Sequence, residues 1–521
     1  MEYFETHGSW FVPGGLRVNG TLSFSADGLA LTTFGPLLPG SSAEDEATAQ
    51  GRRRPVSPIK GRQPHSRNGL RMRQDGRKEA GVKWRRFRAW SGRRGKPRSQ
   101  GRGKGKAVTF STEWGTFPLI YGVDHDQRDI TLVGSFGMLE QFPGITEQTF
   151  NVTLALVGQH LPNADFIGIQ AEFDHLADWV NAPDIATVEK EPRTIRVNRE
   201  ATEIVRTLWE GATLTITSGI TGQSDTEQIR LDRYCTFAAE SSPQEWSELL
   251  DTYLRPFHDL LILCLGRPLR MTDVQLRPAG SDRWVEAYFS AIAPPQGQMK
   301  PSSIHSYNSP TLLTAMTAPM PLADLLPAWF NLHRRLKTVV TLLHAPFYAP
   351  FTYSEHRYAS FFQSVEAYHK LEKDQFEGRE LTRAEHRQRV REVVAALKAS
   401  GLPDEHVRWA KNVIEGRNDK PLKAQVEEVV ASTGVLGERV LRTVPSFSGA
   451  ACDARTSVSH GAADKGVNTA TRHWFGEVLL WVMRVRLLQH LGANDVDERA
   501  LQRPSFGFAL EQVASTSRLD G

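Results

Sequence analysis

The hydrophobic period of this chain changes once and does not change back. Up to about residue 292 the apolar residues come in short alternating runs bounded by turn residues, and beyond a Pro-, Ser-, Thr- and Gln-rich stretch, Ala293 to Pro321, they recur at helical spacing. A period of two suits strands with one buried face, whereas a period near 3.6 suits helices. The sequence therefore predicts an α+β multidomain protein, with a β-rich half followed by an all-α half. The expected boundaries are 1–292 for the β-rich domain, 293–325 for a linker, 326–500 for the helical domain and 501–521 for a tail.

In the front half, Trp10-Phe11-Val12 ends at Pro13-Gly14-Gly15, Gly20 to Phe24 alternates, and Ala26-Asp27-Gly28 marks a hairpin. The pattern stops near Gly40 and resumes at Val108, with strands expected over Phe117 to Gly122, Asp129 to Gly134, Ala212 to Ile220, Gln228 to Ala238, Met271 to Leu276 and Trp284 to Ile292. One helix interrupts the series, and Ser242-Pro243-Gln244-Glu245 reads as its capping-box-like start with Pro at the first helical position. In the back half, helices are expected over Leu326 to Leu343, Ser354 to Leu371, Arg383 to Ala399, Glu405 to Ile414 and Leu422 to Val444. The last, Thr471 to Leu491, is apolar almost all round, as the central helix of a bundle would be.

The formal charge of +4 hides a partition. Gly51 to Lys106 holds 21 basic and two acidic residues, which leaves 42 basic and 57 acidic elsewhere: +19 on the segment, −15 on the body. Residues 41–107 offer too little apolar burial to offset ordering, so they read as a disordered basic insertion in a surface loop. It is either an arm that attracts RNA phosphates, with Trp84, Phe87 and Trp90 stacking on bases, or a tolerated low-complexity insert.

The three cysteines are far apart and form no CxxC pair, which argues against a disulfide framework or a Cys-based zinc site and fits a reducing cytoplasm. The N-terminus lacks a signal-peptide pattern, and no apolar run approaches the roughly 18 residues of a spanning helix. A cytoplasmic protein without membrane partner, metal or cofactor is expected. HExxH, GxSxG and GxxxxGK[ST] are absent. The Gly-rich run Gly101 to Lys106 follows no strand and is low-complexity sequence, and Asp124-His125-Asp126 fits a hairpin tip better than an oxygen-ligand cation site.

The informative stretch is Asp453-Ala454-Arg455-Thr456-Ser457-Val458-Ser459-His460-Gly461, ahead of the central helix. An imidazole can move the proton of a ribose 2′-hydroxyl or of the leaving 5′-oxygen, while a permanently charged guanidinium steadies charge growing on phosphate oxygens. Metal-free RNA cleavage needs those two groups in one cleft. Spacing alone also admits Arg379 with His386 and Arg484 with His490, but Arg484 lies mid-way along a helix expected to be buried and Arg379 in a charge-rich turn. Arg455 is expected where a loop enters a helix, with both side chains able to face a cleft; the bland alternative is a capping loop with a surface His.

The back half resembles a HEPN domain, the helical ribonuclease superfamily marked by RxxxxH, and more specifically the C-terminal part of ApeA-type anti-phage abortive-infection proteins. Besides Arg455 and His460, the likeness rests on Glu355-His356-Arg357-Tyr358 leading to Val365-Glu366-Ala367-Tyr368-His369. At the front it rests on Gly8-Ser9-Trp10-Phe11-Val12-Pro13, Val18 to Phe24, Phe117 to Gly122 and Ile130-Thr131-Leu132, which are similar to the ApeA N-terminal β domain. The resemblance implies a metal-independent endoribonuclease that acts by 2′-hydroxyl attack, with Arg455 and His460 catalytic and with Glu366 orienting one of them; on its residues alone Glu366 could equally be a solvated carboxylate. It implies an RNA substrate, a homodimer through the helical domain with a composite site, and a phage-derived trigger. One departure stands out: the family's usual Asn, Asp or His after the Arg is Thr456, which offers a hydroxyl but not an amide's paired donor and acceptor. A different class of protein would fit that departure, a catalytically decayed HEPN protein that binds RNA or senses phage.

Overall fold

The structure, a computed structural model, describes residues 3–25, 28–35, 37, 112–142, 145–182, 186–189, 194–197, 201–224, 229–289, 303–349, 353–376, 381–460 and 469–517. The expected basic insertion, Gly101 to Lys106 within it and Arg379 lie outside the described residues.

The front half opens as antiparallel strands β1 (Phe4–Phe11), β2 (Val18–Ser25) and β3 (Gly28–Thr33), then β4 (Thr112–Asp124), β5 (Asp129–Phe142) and β6 (Ile145–Asn151). Alternation decides the faces: in β2 every second residue from Gly20 to Phe24 is buried, and Trp10, Leu31, Ile120, Leu132 and Phe150 join them. β6 pairs with both β3 and the second half of β5, so these six strands close on themselves. The first half of β5 pairs instead with β7 (Leu154–Val157), through which the sheet continues. Its remaining strands are β8 (Asp165–Phe173), β11 (Thr202–Trp209), β12 (Ala212–Ser224), β13 (Ile229–Glu245), β14 (Met271–Pro278) and β15 (Val285–Tyr288), in the order β7-β15-β14-β8-β13-β12-β11. A separate hairpin joins β9 (Ala186–Glu189) to β10 (Thr194–Val197), and a short helix, α1, spans Leu176–Trp179.

The interrupting helix exists, but it starts after the capping-box-like sequence rather than within it. Residues 242–245 belong to β13, where Gln244 and Glu245 pair with Phe166 and Asp165 of β8 after a bulge, and the helix begins at Trp246. Long-range sheet pairing overrides the local capping signal there. This helix, α2, runs through Trp246–Leu249, a π-helical turn Leu250–Leu254 and Arg255–Leu265. It is buried from Pro256 to Leu265, with Phe257 stacked on Phe237 of β13 at 3.9 Å.

The helical half comprises α3 (Leu322–Arg335), α4 (Lys337–Tyr348), α5 (Ser354–Leu371), α6 (Lys373–Phe376), α7 (Arg383–Ala399), α8 (Asp404–Glu415), α9 (Leu422–Ala431), α10 (Val435–Thr443), α11 (Phe447–His460), α12 (Thr469–His490), α13 (Val496–Leu501) and α14 (Pro504–Ser517). Two expected helices are each split in two, at Leu336 and at the turn where Thr433 bonds back to the Val430 carbonyl. The expected tail contains α14, whose Phe506, Ala509, Leu510 and Val513 are buried at helical spacing against α12. Within the expected linker, residues 293–302 lie outside the described ones, whereas Ile304, Leu312 and Leu313 are buried.

The two halves share one contiguous apolar core. Among the polar ties that cross between them, two gather several bonds on one side chain. Asp259 of α2 is hydrogen-bonded to His333 Nε2 (2.9 Å), His344 Nδ1 (2.9 Å) and the Tyr348 hydroxyl (2.8 Å). Burial pushes its carboxyl up, but the two histidines outweigh it and hold it well below the usual range. Arg484 of α12 reaches the other way: Nε donates to the Leu263 carbonyl at 2.9 Å, and Nη2 to those of Cys264 (3.1 Å) and Pro310 (2.9 Å), at the C-terminal end of α2.

Candidate active site

The turn Asp124-His125-Asp126 is a hairpin tip between β4 and β5. The three residues offer ligand atoms within 4.8 Å of one another, but the Asp124 carboxylate already accepts from the Asp126 and Arg128 amides at 3.0 and 2.8 Å and from Arg128 Nε at 2.9 Å. Those bonds shape the turn. Arg484 and His490 are likewise occupied structurally: Arg484 is 1% exposed and caps α2, while His490 Nε2 lies 2.7 Å from the Tyr368 hydroxyl.

Arg455 differs from both. It sits on α11 rather than at a loop-to-helix junction, because Phe447, Ala451 and Ala454 bury at helical spacing against α5 and α12. Its side chain stays one-third exposed, 32%, and Nη2 lies 3.6 Å from Oε1 of Glu366, which is 16% exposed on α5. Two residues brought together from 89 positions apart in sequence thus form the one charge pair that links α5 to α11 among the described residues. The Tyr358 hydroxyl donates to the Ala451 carbonyl, one turn before Arg455, and so ties that turn of α11 to α5. Arg357 Nη2 donates to Glu477 at 3.1 Å and ties α5 to α12. At the other end of the same seam Glu355 accepts from the Thr469 hydroxyl at 3.0 Å; its own amide and then Thr469 hold its carboxyl below the ordinary range.

Two neighbouring weak acids, Cys452 and Tyr358, are neutral. Burial, with Asp453 and Glu366 assisting, pushes the Cys452 thiol up to about 11, so it is not a thiolate near neutral pH. Burial, with Cys452 next, raises the Tyr358 hydroxyl well above its ordinary value. Arg455 is therefore the exposed charge on this face of α11, and Glu366 its counter-ion. Thr456 is exposed, and its hydroxyl donates to the Cys452 carbonyl at 3.0 Å, which leaves only its acceptor side for another group.

His460 is the last residue of α11; its side chain, with residues 461–468, lies outside the described residues. On the helix backbone it follows Arg455 by about 7.5 Å of rise and roughly 140° of turn. Tyr358, Arg357 and Glu477 were not singled out as site residues from sequence, because in sequence Tyr358 is one more member of an apolar stripe.

A family model described as ApeA N-terminal domain 1 matches residues 5–314, and one described as Apea-like HEPN matches residues 359–497, the segment that carries Glu366, Arg455, Thr456 and His460. No curated protein and no solved structure matches the chain.

Proposed function

The chain belongs to the ApeA family, an ApeA N-terminal domain followed by an Apea-like HEPN domain, and from that premise we propose that it is a cytoplasmic anti-phage endoribonuclease that cuts RNA without a metal. The observation that carries this reading is the Glu366–Arg455 pair, which holds a part-exposed guanidinium on α11 inside the HEPN segment. A guanidinium fixed by a carboxylate behind it can meet a phosphate in front with its remaining donors, which is the arrangement that stabilises charge in a phosphoryl-transfer transition state.

In the proposed reaction the 2′-oxygen attacks the adjacent phosphorus and the bond to the 5′-oxygen breaks. His460 takes the 2′-hydroxyl proton as base, and an imidazolium returns a proton to the 5′-oxygen. Products are a 2′,3′-cyclic phosphate and a 5′-hydroxyl. Arg455 contacts the non-bridging oxygens, Glu366 positions Arg455, and Thr456 offers one acceptor to the substrate. Two copies pair through the helical domain, so that two motifs share one cleft, and a phage-derived trigger releases the activity. Among the described residues no helix is long and apolar enough to cross a membrane.

A second reading rests on the Thr456 hydroxyl, whose donor is already spent within the helix: a HEPN protein that has lost catalysis and binds RNA or a phage component. Sequencing of RNA ends after infection separates the two. Cyclic-phosphate ends that vanish with His460→Ala support the nuclease; the same ends, or none, in both chains refute it.

A further inference from the structure

Within the helical half, α7 and α8 form a hairpin whose base is closed by Asn418: its Nδ2 donates to the Leu381 carbonyl at 2.9 Å and its Oδ1 accepts from the Leu381 amide at 3.2 Å. Val390 and Val407 are buried between the two helices and, with Asn418, line an open cleft of about 1000 Å³. Neither helix contributes Arg455, Glu366 or His460. The cleft is lined by six cations, Arg383, Arg387, Arg391, Lys398, Arg408 and Lys411, against two carboxylates, Asp404 and Glu415.

The charges are segregated, not merely numerous. Residues 383–418 carry eight basic and five acidic side chains, a net of +3, whereas the cleft lining alone carries +4, so the outer face of the hairpin is −1. Lys411 pairs with Glu415 at 3.5 Å, and Arg391 donates to the neutral Gln388 at 2.7 Å. Among the described residues Arg383, Arg387, Lys398 and Arg408 face no carboxylate partner. Cations without a carboxylate partner on both walls of the cleft, in a protein whose body is −15 outside the basic segment, are a local attraction for a polyanion. A cleft of about 1000 Å³, at the upper end of the roughly 300–1000 Å³ range of small-ligand pockets and open to solvent, has room for several linked phosphates rather than a single small anion.

We propose that the α7–α8 cleft is an RNA-docking groove that holds the phosphate backbone of a single strand away from the Arg455 site. The choice of RNA as occupant rests on the nuclease reading. The groove contacts phosphates and not base edges, so it binds without sequence preference and with strong salt dependence. Its task is to retain a substrate that the acidic body would otherwise repel.

The test uses the full chain carrying His460→Ala, so that the RNA stays intact and binding is read separately from cleavage. Affinity for a short fluorescent single-stranded RNA is measured from about 50 to 200 mM salt for that chain, and for versions carrying Arg383→Gln/Arg387→Gln/Lys398→Gln/Arg408→Gln or the charge-keeping Arg383→Lys/Arg387→Lys/Lys398→Arg/Arg408→Lys. Loss of four phosphate contacts at about 0.7 each should make the slope of log affinity against log salt shallower by about 3, with the charge-keeping version retaining the parent slope. An unchanged slope in the neutral version, or an equal change in both versions, overturns the proposal. So does loss of poly-glutamate binding with RNA binding intact, which would make the occupant an acidic protein segment. Failure of the nuclease reading would instead be absence of cyclic-phosphate ends from the unmutated chain, whatever the groove binds.

Discussion

Gly266→Ala should destabilise the protein far more than the chemically identical Gly401→Ala. Both glycines follow a helix, α2 and α7 respectively, and both have left-handed backbones, φ +69° and +73°. The conformational cost of an alanine there is about 1 kcal/mol in each case. Their surroundings differ. A Cβ at Gly401 meets nothing within 4 Å, whereas one at Gly266 would stand 2.4 Å from Nη1 and 2.6 Å from Cζ of Arg484. That guanidinium cannot step aside, because it is 1% exposed and bonded to the carbonyls of Leu263, Cys264 and Pro310. Overpacking against a fixed group adds roughly 1–3 kcal/mol, so Gly266→Ala should cost about 2–4 kcal/mol in all. With about 2–4 °C per kcal/mol for large domains, the expected fall in Tm is roughly 4–16 °C against roughly 2–4 °C for Gly401→Ala. Denaturant midpoints should rank the same way, and Arg484→Met combined with Gly266→Ala should cost less than the sum of the single changes. Equal shifts for the two alanines, or strict additivity with Arg484→Met, would refute the account of Arg484 as an immovable tie between the halves.

Glu366→Gln keeps the shape and removes the charge behind Arg455, so RNA cleavage should drop about 10–100-fold, the usual loss for an orienting partner, while Tm moves by less than about 2 °C; comparison of single-turnover rates with melting curves checks both. His258, wholly buried on α2 with Nε2 on the Leu269 carbonyl at 3.1 Å, is pushed down to about 4 by burial. The unfolded chain then takes up a proton below about 6.5 that the folded chain refuses, so stability is intact above that pH and falls by about 1.4 kcal/mol per unit down to about 4. Urea unfolding of the parent and of His258→Gln between those limits should show a slope smaller in the variant by that amount; identical slopes would contradict it.

The change of period separates a β-rich half from a helical half, as in the structure, and α5, with its stripe of Tyr358, Phe361, Phe362 and Val365, and α7 have the bounds expected for them. What misled was local signal under long-range competition. Pro243 and Gln244 look like a helix start, yet Pro243 lies in a bulge of β13 and Gln244 pairs with Phe166 of β8, some 75 residues earlier in the chain. Phe506 to Val513 carry a helical stripe inside a segment expected to be a tail, and the stripe makes sense only once α12 is there to receive it. The site shows the same limit. Spacing could nominate Arg455, and the apolar helix around Arg484 could set that residue aside as buried, but which carboxylate stands behind Arg455 depends on how α5 crosses α11, and no periodicity encodes that.

The α7–α8 cleft makes the limit sharpest. In sequence Arg383, Arg387, Arg391 and Lys398 are an ordinary solvated helix face of α7, and Arg408 and Lys411 another on α8. Only the hairpin turns two unremarkable faces towards each other around one cleft, where their cations act on the same ligand, while charges of the body farther off than a Debye length, about 8 Å at physiological salt, are largely screened from it. Net charge and local charge therefore act over different ranges of ionic strength. At low salt the body's repulsion reaches further and opposes RNA at the groove; as salt rises that opposition fades before the close contacts do. The salt slope of the intact protein should accordingly be shallower at its low-salt end than contact counting alone gives, and removal of surface carboxylates far from α7 and α8 should straighten it without altering the slope near physiological salt.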